Sequence, residues 1–200
     1  MIASLAVVIA AASAAAPTLE SLLTELRALP GLSAHFREEK TIALLAAPLV
    51  SEGRIDFAPP ARLARRVEKP SPSLVVVDGA TLSFSDGRSA EHLDLDANPI
   101  VRLYVDSFLM LLGGDLAALS ASWKLALTPT PTGWRLALTP IAPAIAKAIR
   151  SMELLGHGAI IERMKLVETT GDETVTTFDH VDTARRFSAD ELKRLFAPPK

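Results

Sequence analysis

The sequence predicts a mainly β (α+β) fold built on one antiparallel sheet, strongly curved or barrel-like, with a few helices. Three observations carry this. Roughly ten segments have strand composition and follow one another at hairpin spacing. Two of the intervening turns are Asp78-Gly79 and Asp86-Gly87, and Asp-Gly favours tight hairpins because both central residues need positive φ. One segment with helical flanks, 99–112, is apolar nearly all round and must be covered on most sides.

The elements follow in order. Ile2 to Ala12 is an apolar run, followed by the small residues Ser13-Ala14-Ala15-Ala16. It is too short to span a bilayer, which needs ~20 apolar residues. It reads as a secretory signal peptide over residues 1–15, ahead of a single domain over 16–200. The alternative is a buried N-terminal strand or helix. Pro17 moves cleavage back to after Ala14 or Ala15.

Thr18 caps a helix whose Leu19, Leu22, Leu23, Leu26 and Leu29 share one face, and Pro30-Gly31 stops it. Strands are expected at 33–45, 51–58, 62–69, 73–78, 80–85 and near 88–95. The clearest is 80–85, where Leu82 and Phe84 alternate with Thr81, Ser83 and Ser85. Asn98-Pro99 opens the apolar helix, Arg102 and Asp106 form a four-spaced ion pair on it, and Gly113-Gly114 ends it. Asp115 caps a short helix through Leu119. Trp123, Leu125 and Leu127 then share a strand face, and after a Thr/Pro turn so do Trp134, Leu136 and Leu138. An amphipathic piece at about 143–150 precedes strands near 151–155, 159–168 and 173–180. Ser188 caps a last helix to Phe196.

Composition narrows the function. The 200 residues hold 21 basic and 23 acidic side chains, for a net charge of −2, with no basic block. Nucleic acid is therefore not an expected partner, since its binding depends on neutralising phosphates. Hydrophobic residues make up 49% and aromatics only 5%, so the core is largely aliphatic. There is no cysteine, which removes disulfides, thiolate metal sites, cysteine nucleophiles and lipidation through a mature N-terminal Cys. The four histidines have no helical metal spacing. Asp179 and His180 are neighbours, and neighbours on a regular strand point to opposite faces. No nucleophile elbow, phosphate loop or dinucleotide fingerprint is present. No catalytic residue, metal or cofactor is expected, and the chain is not expected to be an enzyme.

An ordered series of short motifs carries a resemblance. Phe36-Arg37-Glu38-Glu39-Lys40, Ser51-Glu52-Gly53-Arg54-Ile55-Asp56-Phe57, Pro60 with Leu63, Pro70, and Val75-Val76-Val77-Asp78-Gly79 resemble the outer-membrane lipoprotein carrier family, the LolA-like proteins. Gly114-Asp115, Gly133-Trp134 with Leu136, Leu138 and Pro140, Leu155-Gly156, and Gly171-Asp172 with Thr174 and Phe178 resemble a divergent branch of it. The resemblance covers about residues 18–180. It implies an open, unclosed antiparallel β-barrel wrapped around helices, with an apolar cavity for acyl chains. It also implies a periplasmic, monomeric carrier of lipidated protein or lipid cargo, between an inner-membrane donor and an outer-membrane acceptor.

Two positions depart from the family. The Arg that usually precedes the strand-corner Pro and latches the lid helices is here Pro59, and a usual aromatic is here Arg65. Ile55, Phe57, Leu63, Leu82, Phe84, Leu136 and Leu138, with Leu103, Phe108 and Leu111 of the apolar helix, are the candidate cargo wall; each is core or cargo contact. Arg65 shares strand parity with Leu63 and needs an acidic partner such as Asp106, helix carbonyls or an anionic cargo group, unless it reaches to water at the sheet edge. The rival functions are an envelope sensor or adaptor that binds lipid or protein with the same fold, and a hydrolase acting on acyl substrates.

Overall fold

A computed structural model describes residues 17–198, apart from the side chains of Pro99, Ile100, Leu103, Tyr104, Ser107 and Phe108. The chain runs α1 (Leu19–Arg27), β1 (Leu32–Thr41), β2 (Leu49–Ala58), β3 (Arg62–Lys69), β4 (Ser73–Asp78), β5 (Thr81–Ser85) and β6 (Ala90–Asp94). It continues through α2 (Pro99–Leu112), α3 (Leu116–Ser122), β7 (Trp123–Thr130), β8 (Gly133–Pro140), α4 (Pro143–Ala146), β9 (Ile149–His157), β10 (Ile160–Glu168), β11 (Glu173–Asp182) and α5 (Ala189–Leu195).

The eleven strands form one sheet in the order β6-β5-β4-β3-β2-β1-β11-β10-β9-β8-β7, antiparallel throughout. It is mainly β and unclosed, because β6 and β7 are edges that do not pair. Those edges are the two strands that α2 and α3 connect, so the helical span bridges the gap in the barrel.

Local chemistry fixes the ends. Thr18 caps α1: the Ser21 N–H donates to Thr18 Oγ1 at 3.1 Å, and the Thr18 N–H donates to Ser21 Oγ at 2.9 Å. Pro99 at the first turn of α2 and Gly113 at its C-cap set its bounds. Three boundaries differ from expectation by more than two residues. β1 ends at Thr41, since residues 42–48 leave the sheet as a loop. α3 continues to Ser122. The piece at 143–150 is helical only to Ala146; Ile149 already belongs to β9 and is buried there.

Alternation along each strand separates the two faces. On the concave face, Leu22, Leu23 and Leu26 of α1 and Val105, Leu109, Leu111 and Leu112 of α2 join Phe57, Val77, Trp134, Leu136, Leu138 and Leu154 in one core. A leucine taken fully out of water there contributes about 2 kcal/mol. The opposite parity builds a smaller cluster on the convex face, where Phe196 packs on Ala58, Ala64 and Val76 beside α5. Each of the three alanine and valine side chains is the sequence neighbour of, or one step from, a concave-facing residue, which is the period-two signature of a two-faced sheet.

Candidate functional site

The concave core is incomplete. Between β1–β5, α2 and β9–β11 it leaves a cavity of about 390 Å³. Leu32, Ala34, Phe36 and Glu38 of β1 line it at every second residue. Across the sheet the wall continues through Ile55, Leu63, Arg65, Val75, Val77 and Leu82, and α2 supplies Val101, Val105, Leu111 and Leu112. The other half of the sheet supplies Leu154, Ile161, Met164, Thr176, Phe178 and Val181.

Two irregularities shape that second half. The β9·β10 register shifts between Ile161 and Arg163, and this extra residue lets both Ile161 and Met164 face the cavity. The β1·β11 register shifts between Ser33 and His35, where His180 has φ 48°. Phe178 and Val181 thereby both reach the cavity, although they are three residues apart.

Among the described residues, the wall has three polar members: Glu38, Arg65 and Thr176. They form one network. Arg65 Nη2 donates to Glu38 Oε1 at 2.9 Å, and Thr176 Oγ1 donates to Glu38 Oε2 at 3.2 Å. The guanidinium carbon lies 4.3 Å from the centre of the Phe36 ring, a cation–π stack. Arg65 and Glu38 are both about three-quarters buried. Of the partners left open for Arg65, the structure supplies an acidic one, Glu38; the candidate Asp106 is instead bound to Arg102 at 3.2 Å. The wall is thus graded along β1, from buried Leu32, Ala34 and Phe36 to a partly hydrated Glu38.

Ile55, Leu63, Leu82, Leu111 and Arg65 lie on this wall. Phe57 has the parity of Ile55 but sits opposite Leu32, deeper in the core. Leu136 and Leu138 are also packed core rather than wall, on the strand that α4 covers. Phe84, two residues before the turn at Asp86, is 37% exposed. The side chains of Leu103 and Phe108 lie outside the described residues. Ala34, Phe36, Glu38, Val75, Val77 and Thr176 are wall residues that the sequence reading does not single out. The alternation Leu32, Ala34, Phe36 against Ser33, His35, Arg37 would have marked the first of them.

Position 59, where the resemblance implies a latching arginine, is Pro59, and among the described residues the helical cover is tied down elsewhere. Arg27 Nε donates to the Gly113 carbonyl at 3.4 Å, joining α1 to the end of α2. Gly114 lies so close to α1 that a Cβ there would be 2.0 Å from the Leu23 carbonyl oxygen.

On the convex face, His35, Asp179 and His180 come together, their ligand-type atoms within 4.8 Å of one another. The bulge at His180 turns Asp179 and His180 to the same side, which corrects the expectation of opposite faces. All three are exposed, and Arg54 and Arg185 line the same groove, where their charge opposes a cation.

A sequence profile of the family described as outer membrane lipoprotein carrier protein LolA-like matches residues 11–195. The chain belongs to the LolA-like family. Among solved structures, this LolA-like protein is similar in fold to the MucA/MucB complex of Pseudomonas aeruginosa, with 18% identity and a TM-score of 0.53, over 87% of this chain and 60% of that one. It is also similar to an uncharacterized conserved protein from Thermus thermophilus, with 11% identity and a TM-score of 0.52, over 90% and 93% of the two chains. A LolA superfamily protein from Nitrosomonas europaea aligns over 88% of this chain and 97% of that one, at 10% identity and a TM-score of 0.48. No curated protein matches the sequence. No described helix is long and apolar enough to cross a membrane.

Proposed function

We propose that this LolA-like protein is a non-enzymatic periplasmic carrier. It takes the acyl chains of a lipoprotein or other lipidic cargo into the concave cavity and carries them toward the outer membrane. The supporting observation is the cavity itself: a hollow of about 390 Å³ with a predominantly apolar wall, set among a core that is otherwise packed. Such a wall holds a chain without directional bonds, at about 0.8 kcal/mol for each CH₂ removed from water. An inner-membrane donor and an outer-membrane acceptor belong to the same proposal, as do a monomeric working state, a single domain from residue 16 and removal of residues 1–15 on export. Native mass spectrometry of protein purified from its own envelope tests it. The expected spectrum shows a chain beginning near Ala15 or Ala16, unlipidated, with a lipidic adduct released on denaturation. A protein that starts at Met1 and carries no lipid under any purification overturns it.

A second reading, an envelope sensor or adaptor, draws support from the fold shared with MucB, which forms a complex with MucA. Stable co-purification of one membrane protein, in place of lipid, favours it.

The Arg65–Glu38 pair gives the carrier reading a finer test. Arg65 uses one nitrogen on Glu38, and its Nε and Nη1 make no hydrogen bond among the described residues. An anionic cargo group can take them. Arg65→Leu is then expected to weaken binding of a long-chain fatty-acid anion about tenfold, the equivalent of one charge-assisted hydrogen bond. Binding of an uncharged acyl ester should change little. Glu38→Gln should shift the preference the other way, toward the anion. Equal preference in wild type and both variants would leave Arg65 a structural residue.

A further inference from the structure

The β1–β2 loop is uncharged, apolar and exposed. From Thr41 to Val50 the sequence is Thr-Ile-Ala-Leu-Leu-Ala-Ala-Pro-Leu-Val, ten residues without a charge. Leu44 is 94% exposed, Leu49 53% and Leu45 47%. Single exposed leucines are ordinary on a protein surface, but a hairpin tip made only of aliphatic side chains is not.

Its surroundings say what it fits. At the base of the tip, the charged side chains are matched among themselves. Lys40 Nζ lies 2.7 Å from Glu168, and Glu52 is 2.8 Å from Arg37 and 3.6 Å from Lys69. The Ala43 N–H donates to Asp172 at 3.3 Å. The tip is therefore an uncharged cap on a self-neutralised polar collar, the arrangement of a segment that rests at a water–lipid boundary. A protein partner would more naturally meet Trp, Tyr or Arg, which dominate protein–protein hot spots, and the tip has none. Its place in the fold agrees. β1 leads from buried Leu32 past the partly hydrated Glu38, and Ile42 follows four residues later, about 13 Å along an extended strand. The apolar tip thus projects from the hydrated end of the cavity.

We infer that the β1–β2 tip, centred on Leu44 and Leu45, docks the protein on a lipid bilayer surface and presents the cavity's hydrated end to it. Insertion stops at the headgroup boundary. Most peptide groups of residues 42–48 have no partner in the sheet, and hydrocarbon offers none. The inference rests on the carrier reading for its purpose, but its test reads membrane contact separately from cavity binding.

The chain has no cysteine, so Ala46→Cys gives a single site for an environment-sensitive fluorophore. Vesicles of phosphatidylethanolamine and phosphatidylglycerol should shift its emission to the blue and should co-sediment the protein. Both signals should persist in high salt, because the contact is apolar. The double variant Leu44→Asp, Leu45→Asp should lose at least about tenfold in vesicle affinity while binding a fatty-acid probe as before. Ile141→Asp, at an exposed apolar residue outside the tip, should change neither. An unshifted label, equal vesicle binding by the double variant, binding that salt abolishes, or a blue shift that needs only higher protein concentration and no lipid would each overturn the inference. Loss of probe binding in wild type, with vesicle binding intact, would instead count against the carrier reading alone.

Discussion

Ala34→Phe is expected to weaken long-chain fatty-acid binding by roughly two hundredfold while leaving the folded protein as stable as before, or more so. The Ala34 methyl lies on the cavity wall between Leu32 and Phe36, opposite Ile55 on the next strand, and is 2% exposed. A phenyl group there grows into empty space rather than into packed neighbours. Wall atoms that lacked partners gain them, so dispersion improves. A cargo chain, by contrast, loses its berth. Excluding four methylenes removes about 3 kcal/mol, a factor of roughly two hundred in affinity. Probe titration and thermal melting on the same sample read both effects. A stable variant with undiminished binding would place the ligand elsewhere. If the variant unfolds, Val77→Phe fills the hollow from β4 and serves the same purpose.

Gly114→Ala should be the most damaging single methyl in the chain's helical cover, lowering unfolding free energy by about 3 kcal/mol or more. Two costs combine. Gly114 has φ +61°, which an alanine adopts at about 1 kcal/mol. Its new Cβ would also lie 2.0 Å from the Leu23 carbonyl and 2.8 Å from the Arg27 Cβ, forcing α1 away from the end of α2. Gly79→Ala isolates the first cost, because Gly79 has φ +59° and nothing within 4 Å of the added methyl. Urea unfolding of the two variants should therefore differ by about 2 kcal/mol. Equal losses would mean that α1 yields freely and that the cover is not anchored at Gly114.

The fold was legible where punctuation is local. Asn98-Pro99 and Gly113 bound α2, and the Asp-Gly pairs at 78–79 and 86–87 separate β4, β5 and β6, at or within about two residues of the expected positions. The sequence predicts β1 too long because Ile42, Leu44 and Leu45 look like strand residues, and composition does not reveal that an apolar run stands in solvent. The site was legible only in part, for a different reason. Parity says which side chains point inward, as it does for Ile55, Leu63 and Leu82. It does not say whether a helix or a hollow meets them, so Phe57, Leu136 and Leu138 could not be told from wall residues. Bulges reset parity without a clear signature. Met164 and Val181 reach the cavity, and Asp179 and His180 share a face, for reasons set by register rather than by residue type.

The sheet order has a kinetic consequence. β1 to β6 form one meander of sequence-adjacent hairpins, and β7 to β11 form another, so each half can zip from contacts close in the chain. Among the described strands, the pairing of β1 with β11, which sets His35 opposite Asp179, joins the two meanders, and it requires closing a loop that spans nearly the whole domain. That seam runs through the middle of the cavity wall, with Ala34, Phe36 and Glu38 on one bank and Thr176, Phe178 and Val181 on the other. We therefore expect the meanders to gain strand structure first and the seam to close last. In a refolding time course followed by circular dichroism and by a fatty-acid probe, the probe signal should lag; simultaneous signals would show that the seam closes with the hairpins. Until it closes, each half-sheet shows its apolar face to water, so a folding chain passes through a stage in which the surface that will line the cavity is the surface most open to aggregation.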